Sequence, residues 1–582
     1  MRITRRQFLL GSAAGMGTLS SSALLSLLAP AAAKAARGPE QTYDYGQAFS
    51  LLGRISFGPT LQDYQTFNQM GFAHYLESQL HPMEAEDALC NARLRSATLH
   101  IEYKASEKPD PTKPVDPKKP VNDYPAVNED SPLRSLAMSP EQLWKIADSS
   151  VRMDGKERNR PVQEVRAATW LRAVYSKWQL REVMVEFWHN HFNVNATSAY
   201  QISASFPVYD AIMRRNCFGN FRGFLEDIAK SASMQFYLNN AKSKASPANE
   251  NYARELFELH TLGADHYYNS LYNRWREVPG AVRGHPIGYI DQDVYEAARA
   301  FTGWTIEDGS NTGRGTVFDK TGAFTYFDGW HDNYQKRVLG TEFDPNAPPM
   351  ADGKKVLDLV SAHPGTAMYL CTKLCRRFVA DDPPSALVKR AAKTFQQSLH
   401  RSDQIARVLR TIILSPEFAG MEGRKIKRPF EYTVSFLRGT GANVTPNENL
   451  FNNVSGAGYR QFEWAAPTGH PDVADYWLNT NTTLSNWNIL PQLFSGGFKA
   501  ASFDLAQQTP PSIRTSGDIV TYWVMRLTGR SSDSGLFTGL MQFMPQPQNP
   551  GFVPDIHNPG FRVPYQEMVM AIGMLPEFQV RG

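Results

Sequence analysis

Two histidines one residue apart, His189 and His191, stand in the stretch FWHNHFNV at 187–194. A second polar group lies in ENYARELFELHTLG at 250–263, where Arg254, Glu255, Glu258 and His260 crowd into seven positions. Histidine and glutamate at such density either bind a divalent metal or move protons. On a helix, side chains two apart diverge by about 200°, so His189 and His191 share an ion only if their stretch is extended. A zinc-type site asks for three or four ligands. One reading therefore makes His189, His191 and His260 metal ligands. Glu255 and Glu258 are then the catalytic carboxylates, one of them activating water, with Arg254 orienting it. A divalent metal is the cofactor this pattern suggests, its identity open. The other reading is a polar core in which each histidine and acid satisfies its neighbour. H-E-x-x-H, G-x-S-x-G, G-x-G-x-x-G and the P-loop pattern are all absent, which removes support for the common zincin, serine-hydrolase and nucleotide-binding readings.

The elements that must hold these residues are helical. Residues 164–187 carry Val165, Ala168, Leu171, Tyr175, Trp178 and Val185 at helical spacing. Within 250–263, Glu250, Arg254 and Glu258 form an i, i+4, i+8 ladder, and Gly263 is placed to end the helix. A second acid–arginine helix spans 289–304, with Glu296 and Arg299 as an i, i+3 pair. Further helices are expected at 61–78, 140–151, 205–215, 221–238, 353–360, 364–379, 384–397, 401–414 and 428–438. Thr60 is placed to cap the first of these, and His363 to cap or flank the one beginning at Pro364. An anion site formed by His363 with Arg376 and Arg377 is a further reading of that helix. The pieces 316–318 and 323–326 suggest a hairpin, and FDGWHD at 327–332 a turn. The aromatic loop WAAPTGHPDVADYW at 464–477 either walls a cleft or seals a core. The expected fold class is thus mainly α: a large multi-helix unit with long loops and at most minor β-hairpins.

The N-terminus carries Arg5 and Arg6 in TRRQFL, a weakly apolar stretch, and Ala33-Lys34-Ala35. This reads as a twin-arginine signal over residues 1–35, implying the twin-arginine translocation machinery as partner and a periplasmic or secreted mature protein. The whole chain has 61 basic and 57 acidic residues. Residues 1–35 hold four basic residues and no acidic ones, so the remainder has 61 − 4 = 57 of each sign. The slight basicity therefore says nothing of nucleic acid, and no nucleic-acid partner or mature transmembrane segment is expected. Residues 36–439 read as the main domain, with an exposed Pro-, Lys- and Asp-rich insertion at 104–132, and 440–582 as a loop-rich helical subdomain packed on it. The four cysteines, Cys90, Cys217, Cys371 and Cys375, leave disulfides open, with Cys371 and Cys375 on one helix face.

Six segments together resemble the large bacterial family catalogued as domain of unknown function 1800. They are LLGRISFGPT (51–60), FWHNHFNV (187–194), NENYARELFELHTLG (249–263), DVYEAARAFTGW (293–304), HPGTAMYLCTKLCRRFV (363–379) and PTGHPD (467–472). The resemblance implies a mostly helical exported protein and supplies no catalytic role. His470 departs from it, standing where the pattern leads one to expect an aromatic residue such as Tyr. The residues themselves suggest a periplasmic metal-assisted hydrolase. A non-enzymatic binding or assembly protein and a cofactor-dependent redox enzyme are the alternatives.

Overall fold

Helices form where the apolar spacing places them, and their ends follow local chemistry. The structure, a computed structural model, describes residues 43–106, 123–313, 315–421 and 423–582. The signal read at 1–35 and the middle of the charged insertion lie outside these residues. The first described helix, α1 (Tyr45–Ile55), begins with an Asp44–Gln47 capping box. Thr60 caps the helix that follows, as its position suggests. The fold is mainly α, and the sheets among the described residues are four short antiparallel pairs.

The long helix expected at 164–187 is two helices, α2 (Gly155–Tyr175) and α3 (Gln179–His191). Between them Ser176 Oγ donates to Asp87 (2.5 Å) and Lys177 N donates to the same carboxylate (3.3 Å). Trp178 Nε1 donates to the Met83 carbonyl (3.0 Å). The backbone N–H of Lys177 thus goes to Asp87 and that of Trp178 to Ser176 Oγ (3.1 Å) rather than to helical carbonyls, so the chain turns despite its periodicity. The two ends of the charged insertion are not loose either. Strands β1 (Thr98–Tyr103) and β2 (Val127–Pro132) pair antiparallel, and Arg160 of α2 donates to Ser131 Oγ (2.8 Å).

Beyond α3 come α4 (Tyr200–Asn216), α5 (Asn251–Glu255) and α6 (Asp291–Ala300). Then β3 (Trp304–Asp308) pairs with β4 (Lys320–Tyr326). The hairpin expected between 316–318 and 323–326 is replaced by this pairing, because Trp304 and Ile306 supply a buried strand face. Two later helices matter for the site: α7 (Pro364–Phe378) and α8 (Pro429–Gly439). His363 caps α7, its Nδ1 accepting from Gly365 N (2.9 Å). Arg377 lies at the far end of that helix, about 20 Å away, against Glu431 and Glu186. His363 and the arginines therefore form no shared anion site.

One continuous buried cluster includes Trp170 and Trp188 as well as Trp523 and Phe578. It crosses position 440 without interruption. The last residues close onto the first helix: Arg581 is buried and donates to the Arg54 carbonyl (2.9 Å) and the Arg377 carbonyl (3.1 Å). All four cysteines are buried and free.

Candidate functional site

Because 187–191 is helical, His189 and His191 point to different places. His189 Nε2 donates to Asp210 Oδ1 (3.0 Å), and Arg172 donates to the other oxygen (3.4 Å). Its ring sits among Phe206, Tyr209 and Phe462. It lines a cavity of about 20 Å³, shared with Asn190, Tyr459 and His470, which has room for a single water. His191 faces the opposite way. Its Nε2 donates to the His260 carbonyl (3.1 Å), and its Nδ1 accepts from Lys373 Nζ (3.0 Å). These bonds assign the neutral tautomer, and burial together with Lys373 and His260 holds its proton affinity well below the ordinary histidine range.

The carboxylate segment has an unusual backbone. After the short α5, residues Leu256–His260 form a π-helical turn. Thr261 Oγ1 donates to the Leu256 carbonyl (2.5 Å), and Gly263 N donates to the Phe257 carbonyl (3.0 Å). A π turn widens the spiral and re-aims side chains, and such turns concentrate at functional positions. Gly263 is required at its end. Its φ is +90°, and a Cβ there would stand 2.6 Å from the Tyr369 ring. The tyrosine is thereby allowed to press onto the turn.

Glu255 and Glu258 emerge from this turn half-buried, and among the described residues neither takes a hydrogen bond. Burial first, then the Glu258 charge, pushes the Glu255 carboxyl up to about 7. Arg254 lowers it, but the hydrogen bonds of Arg254 go elsewhere: to Glu250 (3.0 Å) and Asp291 (3.4 Å). Among the described residues Arg254 makes no hydrogen bond to Glu255 or Glu258. Asp291 also accepts from Tyr267 Oη (2.7 Å), so Arg254 ties α5 to α6. The ladder Glu250–Arg254–Glu258 stops at its first rung because the π turn breaks the helical phase.

His260 is 1% exposed, and neither of its ring nitrogens has a partner. Burial, reinforced by Lys373, lowers it to about 3, so the ring is neutral. Lys373 and Tyr369, four apart on α7, are the site residues that motif reasoning missed. Lys373 is half-buried, its ammonium 5.4 Å from the Tyr369 ring centre, and burial lowers it to about 8. Tyr369 is the hinge of the arrangement. Its ring lies 6.4 Å from that of His191, while its hydroxyl is raised to about 12 by burial and by the nearby Glu258. Tyr237 is raised to about 12 by burial and Glu255, and its hydroxyl donates to the Ala465 carbonyl (2.9 Å).

That last bond brings in the aromatic loop. Asn193 Nδ2 donates to the Trp464 (3.1 Å) and Ala466 (2.7 Å) carbonyls. His470 stacks on Tyr459, with ring centres 4.3 Å apart. It fills the place of an aromatic residue and acts as one. The site thus has two halves joined by Tyr369: an acid pair under tyrosines, and a neutral His191–His260 pair beside Lys373. Among the described residues no three His, Cys, Asp or Glu side chains stand close enough to hold one ion. His189 is hydrogen-bonded to Asp210 elsewhere and both nitrogens of His191 are engaged. The donor set His189, His191 and His260 is not assembled.

A single family model spans residues 50–580. The chain belongs to the protein family of unknown function DUF1800. No curated protein matches it, and no solved structure matches it. In this DUF1800 protein, four of the six landmark segments meet at the site: FWHNHFNV, the glutamate turn, the Tyr369–Lys373 helix and the Pro-Thr-Gly loop. The other two brace it. Gly58 of LLGRISFGPT accepts from Arg438 of α8 through its carbonyl (2.6 Å), and DVYEAARAFTGW forms α6.

Proposed function

We propose that the protein is an exported hydrolase that works by acid–base catalysis at Glu255 and Glu258. The observation that carries this reading is the Glu255 carboxyl, raised to about 7 with Glu258 beside it and no hydrogen bond to either acid among the described residues. A carboxyl poised there gives a proton to a leaving atom at neutral pH and, once ionised, takes one from water. Glu258 supplies the neighbouring charge that keeps the first proton in place. Tyr237 and Tyr369 flank the acids and limit the access of water. The twin-arginine reading of residues 1–35 places this chemistry in the periplasm or outside the cell. The metal-assisted version loses its support with the divergence of His189 from His191.

The mature protein, purified after export, should be assayed on chromogenic esters, amides and glycosides. Activity is expected to inflect near pH 7, to fall at least about a hundredfold in Glu255→Gln, and to survive chelation. An activity that persists in Glu255→Gln, or that vanishes on chelation and returns with metal, would overturn the proposal.

A further inference from the structure

The other half of the site carries chemistry that the acid–base reading does not use. Lys373 is half-buried on α7, and its only hydrogen bond among the described residues is to His191 Nδ1. No carboxylate lies within ion-pairing distance of it among those residues, although Asp472 acts on it from farther off. On one side stands the Tyr369 ring. Near it stands His260, fully buried with both ring nitrogens unpartnered. Buried polar atoms are nearly always satisfied, and exceptions call for a ligand or a chemical role. The other buried lysines are all spent: Lys336 and Lys425 on carboxylates, and Lys427 on the Phe578 carbonyl (2.7 Å).

We propose that Lys373 is a nucleophilic amine that takes the carbonyl carbon of a small aldehyde or ketone, forming an imine between His191, His260 and Tyr369. The neutral amine adds to the carbonyl carbon, forming the C–N bond. The carbinolamine then loses its hydroxyl as water, the oxygen coming from the carbonyl and both hydrogens from the amine. No oxidant or reductant is consumed. His260 brings one N–H donor and one lone pair to this step. Burial supports the chemistry, because it lowers Lys373 to about 8 and leaves a useful fraction of free amine at neutral pH.

The test uses the full folded chain with acetaldehyde and cyanoborohydride near pH 7, where hydride from the reagent fixes any imine as an ethyl group. Peptide mass spectrometry follows each lysine with time. Lys373 is expected to react at least about tenfold faster than exposed Lys389 and Lys393, with a rate that saturates as aldehyde rises. Modification no faster than at those two lysines would overturn the proposal. A fast rate that stays linear in aldehyde would also overturn it, since a reactive amine without a carbonyl site behaves that way. The measurement needs no hydrolytic turnover, so it succeeds or fails separately from the acid–base reading.

Discussion

Among the described residues, two lysines sit close to a histidine with opposite results, Lys336 wholly buried and Lys373 half-buried. Lys336 is wholly buried and donates to Asp352 (2.7 Å) and to the Tyr334 carbonyl (2.9 Å). Its neighbour His331 has Nδ1 bonded to the Thr302 carbonyl (2.8 Å) and Nε2 near Asp352 (3.3 Å). Arg299 completes the region with a two-point bond to Asp332 (2.8 and 2.9 Å) and a bond to Glu296 (2.6 Å). Every charge there has its counter-charge and the polar atoms are paired, so the region clamps β-turn to helix. Lys373 and His191 touch each other at the same range, yet bring no carboxylate into hydrogen-bond reach and leave His260 unsatisfied. The same residue types give a strut in one place and a reactive surface in the other. What separates them is whether the charge has been neutralised locally.

That contrast can be broken most directly by removing each lysine. Lys336→Met leaves Asp352 buried without its cation and should cost about 3–5 kcal/mol, read as a lower urea midpoint. Lys373→Met should cost about 1 kcal/mol or less; equal losses would erase the distinction. A smaller effect tests the acid half. Glu255 is raised from 4.5 to about 7, so the native state holds an extra proton between those values. Its contribution to stability is therefore lost as pH rises from about 4.5 to about 7. Glu255→Gln should thus be about 1–2 kcal/mol more stable than the parent near pH 8 and equal to it near pH 4. The smallest effect concerns neighbours. Glu258→Gln should lower the Glu255 midpoint and Arg254→Met should raise it, both followed by carbon NMR of the Glu255 carboxyl. Shifts of the same sign would show that the acids are not coupled as described.

Much of the scaffold was legible in the sequence because helices announce themselves locally. Thr60 caps where expected, His363 caps α7, and Glu296 meets Arg299 at i, i+3. His191 and the glutamate turn stand out in the sequence by residue type. Long-range partners were not legible. The break after Tyr175 depends on Asp87, 89 residues from Ser176. Arg254 turns partly to Asp291, 37 residues on, and its ladder ends at a π turn that no periodicity displays. Lys373 looks like an ordinary helix lysine until the fold sets it 182 residues away against His191. His189 shows the converse: a conspicuous type whose ring nitrogen is taken up by Asp210.

The contact between Arg581 and the Arg54 carbonyl joins residues 527 apart. A ribosome delivers Arg54 many seconds before Arg581. Until Arg581 emerges, the Arg54 carbonyl lacks this donor. This closure of α1 therefore cannot form until a segment 527 residues downstream has been made.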